Sequence, residues 1–302
     1  MASKLTTGPS PERTASHWRA TAHGVIGPHH QRSGKPIQDA WGVRDAKKEP
    51  VVAVVADGHG SEKYTRSDRG SRLAVEVVTE ILAGAGAPGD QLFAPASAGA
   101  GVALATAIVE AWRARVAADI AADPRIEPPV DVVDYGSTVI GAVASATALV
   151  VVQLGDGGAL VVYDDGAVER VFTAEEQIGT ATHSLCSGNA TSHLQVRVFD
   201  LQATPIRFVL LATDGFENAY VSAHAFQKVA PDILGYIVAH GWTIVETHLP
   251  QWLEKSGQFT GDDASAALLY RSSVPRPVPP VRRLRRHDHS GRLSRPADRQ
   301  RR

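Results

Sequence analysis

Four short apolar runs in this chain each abut aspartate: VVAVVA before Asp57, ALVVVQLG before Asp156, IRFVLLAT before Asp214, and ASAALLY after Asp262 and Asp263. Runs this short and this apolar predict strands buried in a core. One aspartate at a strand end is ordinary turn chemistry, because its side chain bonds nearby backbone and tolerates tight geometry. Four such points are a different matter. Strands of one sheet bring their ends to a common edge, where unneutralised carboxylates repel one another and a cation is the usual remedy. Short acids, carbonyls and water form an all-oxygen donor set, which suits a hard ion such as Mg²⁺ or Mn²⁺. The Asp-Gly pairs at 57-58, 156-157 and 214-215 keep the backbone open, so that a carbonyl or a bound water can also reach the ion.

The order of elements narrows the fold class. Strands are predicted in ATAHGVI (20 to 26), near Ala40 to Val43, and in VVAVVA. A helix follows, with apolar residues Leu73, Ala74, Val77, Val78, Ile81 and Leu82 at three-and-four spacing. GAGAPGDQLFAPASAGAG reads as a low-complexity connector, and Ala103 to Ala122 as a second helix stopping before Asp123-Pro124. From Tyr135 short strands dominate, with Gly155-Asp156-Gly157-Gly158 and Asp164-Asp165-Gly166 read as hairpin turns in an antiparallel meander. Helices return between Ser222 and Gly257, with Trp242, Val245, Leu249, Trp252 and Leu253 as an apolar stripe, and ASAALLY is the last strand. This is an α+β order rather than the βαβ alternation of a doubly wound sheet.

Composition excludes several classes. An apolar share of 43% with 21% charged residues over 302 residues fits a globular protein. The single cysteine, Cys186, allows no internal disulfide and fits a reducing compartment. The first 17 residues lack the apolar core of a signal peptide, so a cytoplasmic location is expected. Tyr135 to Gly155 carries no charge over a membrane-spanning length, but its Gly, Ser, Thr and Val content predicts two buried strands. After Tyr270 the tail holds 11 Arg against 2 Asp, a net of +9, against 20 basic and 30 acidic residues, or −10, before it. Such a tail is suited to an acidic partner or nucleic acid, and reads equally as a disordered Pro/Arg-rich extension.

The ordered set Gln38-Asp39, Asp57-Gly58-His59-Gly60, Gly136-Ser137-Thr138, Gly155-Asp156, Thr213-Asp214-Gly215 and Asp262-Asp263-Ala264-Ser265 resembles the PPM-type, metal-dependent serine/threonine protein phosphatases, type 2C. GPHHQRSGKPIQDA resembles a bacterial branch of that family. The resemblance implies a β-sandwich of two mainly antiparallel sheets flanked by helices, in four layers α-β-β-α. It places a phosphatase domain over residues 19-271, between a flexible segment 1-18 and the basic tail 272-302.

The resemblance also implies a site. Asp57 would bridge two Mn²⁺ or Mg²⁺ ions, helped by the Gly58 carbonyl, with Asp214 and Asp262 completing the ligands and Asp39 acting through water. Asp156 and Glu217 would serve a weak third ion. A water between the two ions would attack phosphorus, and His59 would protonate the departing alkoxide. Arg32 or His30 would contact phosphate, with Lys35 as a substitute. Residues 174 to 193 would form a flap facing the substrate. The implied partners are phosphorylated proteins and a cognate Ser/Thr kinase.

Rival readings lack parts. Five residues after Cys186 intervene before Ser192, which stands where a cysteine-dependent phosphatase has Arg. Asp57-Gly58-His59 fits the D-x-H of calcineurin-like metallophosphatases, but Gly188-Asn189 continues with Ala190, so their G-N-H element is missing. His183 and His193 flank Cys186 at spacing too loose for zinc. Two alternatives remain open on sequence: a weakly catalytic module that binds phosphoproteins, and a phosphatase of a small phosphorylated metabolite.

Overall fold

Strand β3 (Val51–Ala56) is buried at every residue because both of its faces are covered. Val51, Ala53 and Val55 point into the space between two sheets, while Val52, Val54 and Ala56 pack under helices. That is the physical reason its sequence contains no polar residue. The computed structural model describes residues 17–44, 50–85, 98–123, 130–172 and 182–272. The expected flap 174 to 193 falls partly outside them, as does all of the tail beyond Ser272.

In chain order the remaining elements are β1 (Trp18–Val25), α1 (Pro28–Ser33), β2 (Ala40–Arg44), α2 (Ser67–Ala85), α3 (Ala98–Ala122), a 3-10 turn at Val132–Tyr135, β4 (Val139–Ala144), β5 (Ala148–Leu154), β6 (Gly158–Tyr163) and β7 (Val168–Arg170). Then come α4 (Ala190–His193), β8 (Gln195–Asp200), β9 (Ile206–Ala212), α5 (Asp214–Glu217), α6 (Ala223–Gln227), α7 (Val229–His240), α8 (Trp242–Thr260) and β10 (Ala264–Arg271). They form two five-stranded sheets of order β2-β3-β4-β5-β8 and β1-β10-β9-β6-β7, with every pairing antiparallel. Ile140, Val151, Val161, Val209, Leu211 and Leu269 fill the space between them. Leu73, Val77, Ile108 and Trp112 of α2 and α3 cover the first sheet, and Val245, Leu249 and Leu253 of α8 cover the second. The result is the α-β-β-α layering expected.

Three expectations need correction. Gly155 does take a positive φ of 111°, but the turn it opens is not a hairpin. It carries the chain from β5 in one sheet to β6 in the other, so Asp156 lies where the two sheets meet at one end. Of these two turns, only that at Gly166, at φ 89°, closes a hairpin, between β6 and β7. Helix α3 begins at Ala98, inside the segment read as a connector, because alanine-rich sequence favours helix despite its glycines. Trp18, assigned to a flexible segment, is fully buried in β1 and donates its indole N–H to Ser145 O at 2.9 Å. The uncharged stretch from Tyr135 forms β4 and β5, which pair from Val139↔Leu154 onward. Among the described residues, no helix is long and apolar enough to cross a membrane.

Candidate metal centre

The acids gather because five strands place the same ends at one edge of the sandwich. Asp57 follows β3 and Asp156 follows β5, while Asp39 precedes β2, in one sheet; Asp214 follows β9 and Asp262 precedes β10 in the other. Carboxylate oxygens of Asp57, Asp156 and Asp214 lie within 4.8 Å of one another. Asp262 is more exposed but near enough for its charge to act on both Asp57 and Asp214.

The backbone holding these groups is closely fitted. The Asp57 N–H donates to Thr138 Oγ1 at 3.0 Å, and its carbonyl accepts from Thr138 N at 2.8 Å and Ser137 Oγ at 3.0 Å. Gly58 is a glycine by necessity, since a Cβ there would lie 2.6 Å from both Gln38 O and Ser67 O. The same holds at Gly215, whose Cβ would fall 1.9 Å from Asp263 O. Asp39 is 3% exposed and accepts the Thr213 hydroxyl at 2.9 Å. Asp156 accepts the Thr182 hydroxyl at 2.6 Å.

Charge on this edge is poorly compensated. Burial, then the charges of Asp39, Asp214, Asp262 and Asp156, push Asp57 well above the usual carboxylate range. Burial, followed by Asp156 and Asp262, raises Asp214 to about 7. Asp39 is raised to about 8, chiefly by burial, with Asp263 and Asp214 adding to it and the hydroxyls of Ser265 and Thr213 opposing it. An oxygen-only cluster of mutually repelling acids fits a hard divalent cation by charge, spacing and donor type.

The other expected residues are placed as follows. His59 sits beside the cluster with its backbone N–H on Gly136 O at 3.1 Å and its ring centroid 4.6 Å from that of Tyr64. Its Nε2 is buried without a protein partner. Burial lowers its pKa, the Asp156 charge raises it, and Lys63 lowers it again. Glu217 is engaged elsewhere: Arg170 forms a two-pronged ion pair with both its oxygens, one contact at 3.0 Å, and also donates to Gly157 O at 3.2 Å. His30 Nδ1 lies 3.0 Å from Asp263 without the alignment of a hydrogen bond. Arg32 is exposed on the rim of a neighbouring cavity.

Arg170 carries no recognisable sequence signal, and Asp263 is marked in the sequence only as the second member of the Asp262-Asp263 doublet. Arg170 reaches Glu217 only because β6 joins β7 to β9, and α5 follows β9 directly. With side-chain exposures of 13% and 16%, this pair is largely dry. Arg170→Ala would strand a buried carboxylate and should cost about 3–5 kcal/mol, read by chemical denaturation, with Glu217→Gln recovering much of the loss in the double variant. Equal stability of Arg170→Ala and wild type would show the pair to be incidental.

Two antiparallel sheets stacked face to face, with acids from both at one end, describe a phosphatase-type metal sandwich, and the comparisons with known proteins agree. The profile of the family described as Protein phosphatase 2C matches residues 26–254. The chain belongs to the protein phosphatase 2C family. It is 26% identical over 182 residues to serine/threonine-protein phosphatase 3 of Escherichia coli (strain K12), a match spanning 59% of this chain and 66% of that relative. In fold it is similar to the catalytic domain of the serine threonine protein phosphatase PstP, solved in complex with 2 manganese ions, with TM-score 0.54 and 17% identity over 85% of this chain and 100% of that one. It is also similar to the serine/threonine phosphatase Stp1 of Staphylococcus aureus, with TM-score 0.53 and 15% identity over 88% and 100% of the two chains.

Proposed function

We propose that this protein hydrolyses phosphoserine and phosphothreonine in other proteins, using two Mn²⁺ or Mg²⁺ ions held by Asp57, the Gly58 carbonyl, Asp214 and Asp262. The observation that carries this is the meeting of Asp57, Asp156 and Asp214 within 4.8 Å at the end of a two-sheet sandwich. Family membership supports the reaction, and the PstP structure, solved in complex with 2 manganese ions, supports the metal. When bound, such ions oppose the charge on phosphoryl oxygens and lower the pKa of an attacking water.

The chain supplies the rest. Ser137 and Thr138 fix the Asp57 backbone, and Thr213 fixes Asp39, so the oxygens are oriented before any ion arrives. His59 is placed to give a proton to the departing Ser or Thr oxygen. Glu217, neutralised by Arg170, leaves Asp156 as the main protein acid for a third ion. Arg32 would contact the substrate phosphate, a role supported by its place in the lining of a cavity that Asp262 also lines, and His30, 3.0 Å from Asp263, would help position the α1 segment.

The reading extends to a cytoplasmic phosphatase domain over residues 19-271 that reverses a Ser/Thr kinase in signalling. The tail 272-302, with its surplus of arginine, is the segment suited to an acidic partner or nucleic acid. The purified protein should hydrolyse p-nitrophenyl phosphate and phosphothreonine peptides with Mn²⁺ or Mg²⁺ and lose both activities to a chelator. Turnover that survives complete metal removal would end this reading.

A further inference from the structure

Between the α5 segment, α7 and α8 lies a cavity of about 290 Å³, lined by Phe216, Tyr220, Tyr236, Trp252 and Asp232 among others. Phe216 and Tyr220 meet edge to face, with ring centroids 5.7 Å apart and planes at 85°. Tyr236 and Trp252 do the same at 5.7 Å and 74°. Ring pairs of this kind often complete a core, and Phe216 is indeed 1% exposed. Tyr220, Tyr236 and Trp252 are only half-buried, however, and Phe259, 74% exposed, follows Trp252 about two turns later on the same face of α8. Aromatic surface therefore stays uncovered at the rim.

Among the described residues lining the cavity, Asp232 alone is charged. It is exposed, and no basic side chain of the described residues pairs with it. Its charge bears on Tyr220, whose hydroxyl pKa is raised by burial first and by Asp232 second. Ring faces beside an unpaired carboxylate form a receptor for a cation, because the ring quadrupoles and the carboxylate attract the same charge. Guanidinium suits such a site better than ammonium, since its plane stacks on rings while its N–H groups bond the carboxylate. Proline-rich sequence is likewise taken up by aromatic-lined grooves.

One stretch of this chain carries both chemistries. Pro275 to Arg286 reads PRPVPPVRRLRR, and the residues after Tyr270 carry a net +9 against −10 before them. We infer that this cavity docks the Pro/Arg-rich stretch of the chain's own tail, with one guanidinium lying over the rings against Asp232. The tail leaves the described fold at Ser272, just after Tyr270, whose ring stacks on Trp242 at the start of α8 with centroids 5.9 Å apart. Trp252 lies about 15 Å further along that helix, and a chain gains up to about 3.3–3.6 Å per residue, so Arg282 and Arg283 are within reach. A short tether gives an effective concentration near millimolar, at which an intrinsic Kd of about 0.1 mM keeps the site about tenfold more occupied than empty. The docking is independent of the phosphatase chemistry, although Phe216 belongs to α5, which begins at Asp214.

The test is limited trypsin digestion of the full chain, with cleavage after Arg282 and Arg283 followed by mass spectrometry. Docking should make those cuts about tenfold slower in wild type than in Asp232→Lys, with Asp232→Asn between the two. A second measurement leaves Asp232 in place: in the full chain, Phe259→p-benzoylphenylalanine should crosslink on illumination to peptides from Pro275 to Arg286 of the same molecule. Equal cleavage rates in wild type and both Asp232 variants would overturn the docking, as would a tail that never crosslinks to position 259. Protection that fades on dilution, with crosslinks joining two chains, would assign the cavity to the tail of a second copy and overturn the intramolecular contact.

Discussion

Asp57→Asn should abolish phosphatase turnover and at the same time stabilise the metal-free protein. The loss follows from removing the proposed bridging carboxylate. Cations at a phosphoryl centre contribute several kcal/mol, so kcat/KM should fall by at least about a thousandfold. The gain follows from charge. Asp57, Asp214 and Asp39 all sit above their ordinary value of 3.8, Asp214 at about 7 and Asp39 at about 8. In this window the folded state holds more protons than the unfolded state, so its stability falls as pH rises. Their contribution is fully present below about pH 4 and is lost as pH passes through about 7 to 8. Deleting one charge relieves the others. The metal-free wild type should therefore melt at a lower temperature at pH 8 than at pH 5, and Asp57→Asn should show a smaller drop. Mn²⁺ should raise the melting temperature of the wild type at pH 8 and have little effect on the variant. A metal-free wild type equally stable at both pH values and indifferent to Mn²⁺ would contradict the assignment.

Most of the scaffold under this centre was legible because the strands are buried on both faces. A run such as VVAVVA or IRFVLLA has no alternative to a core position, so both strands fall within a residue of where the pattern puts them. The convergence of Asp57, Asp156 and Asp214 was legible for the same reason, since each aspartate marks the end of such a run. Connectivity was harder to read. Gly155 has the left-handed backbone a hairpin needs, and no local residue reveals that the following strand joins the opposite sheet. Interactions across that gap were invisible too. Arg170 looks like a strand-end charge until β6, paired with both β7 and β9, brings it within reach of Glu217. In Asp262-Asp263 the doublet alone does not show that the first residue faces the acidic edge while the second anchors α1. Local physics sets burial and strand ends; partner choice depends on long-range pairing that one sequence does not display.

His59→Ala should slow cleavage of phosphothreonine peptides by about 10²-fold or more while sparing p-nitrophenyl phosphate, the difference expected when a general acid is removed. A threonine alkoxide is strongly basic and leaves poorly without a proton, whereas p-nitrophenolate is stable enough to leave unaided. The imidazole is held for such a task. A Cβ on Gly136 would meet its Cδ2 at 2.9 Å and Tyr64 Cδ1 at 2.4 Å, so glycine at that position lets the ring and Tyr64 settle together. That packing leaves Nε2 buried with no protein group to bond. With no protein group bonded to it, Nε2 is free to bond a group that the substrate supplies. Burial lowers the ring's pKa and the charge of Asp156 works against that, so the acid is formed beside a carboxylate. If His59 only packs against Tyr64, its loss should loosen the loop and slow both substrates in proportion. Measuring kcat for the two substrates across wild type, His59→Ala and Tyr64→Ala decides the matter: selective loss in His59→Ala alone supports the proton donor, and equal losses reject it.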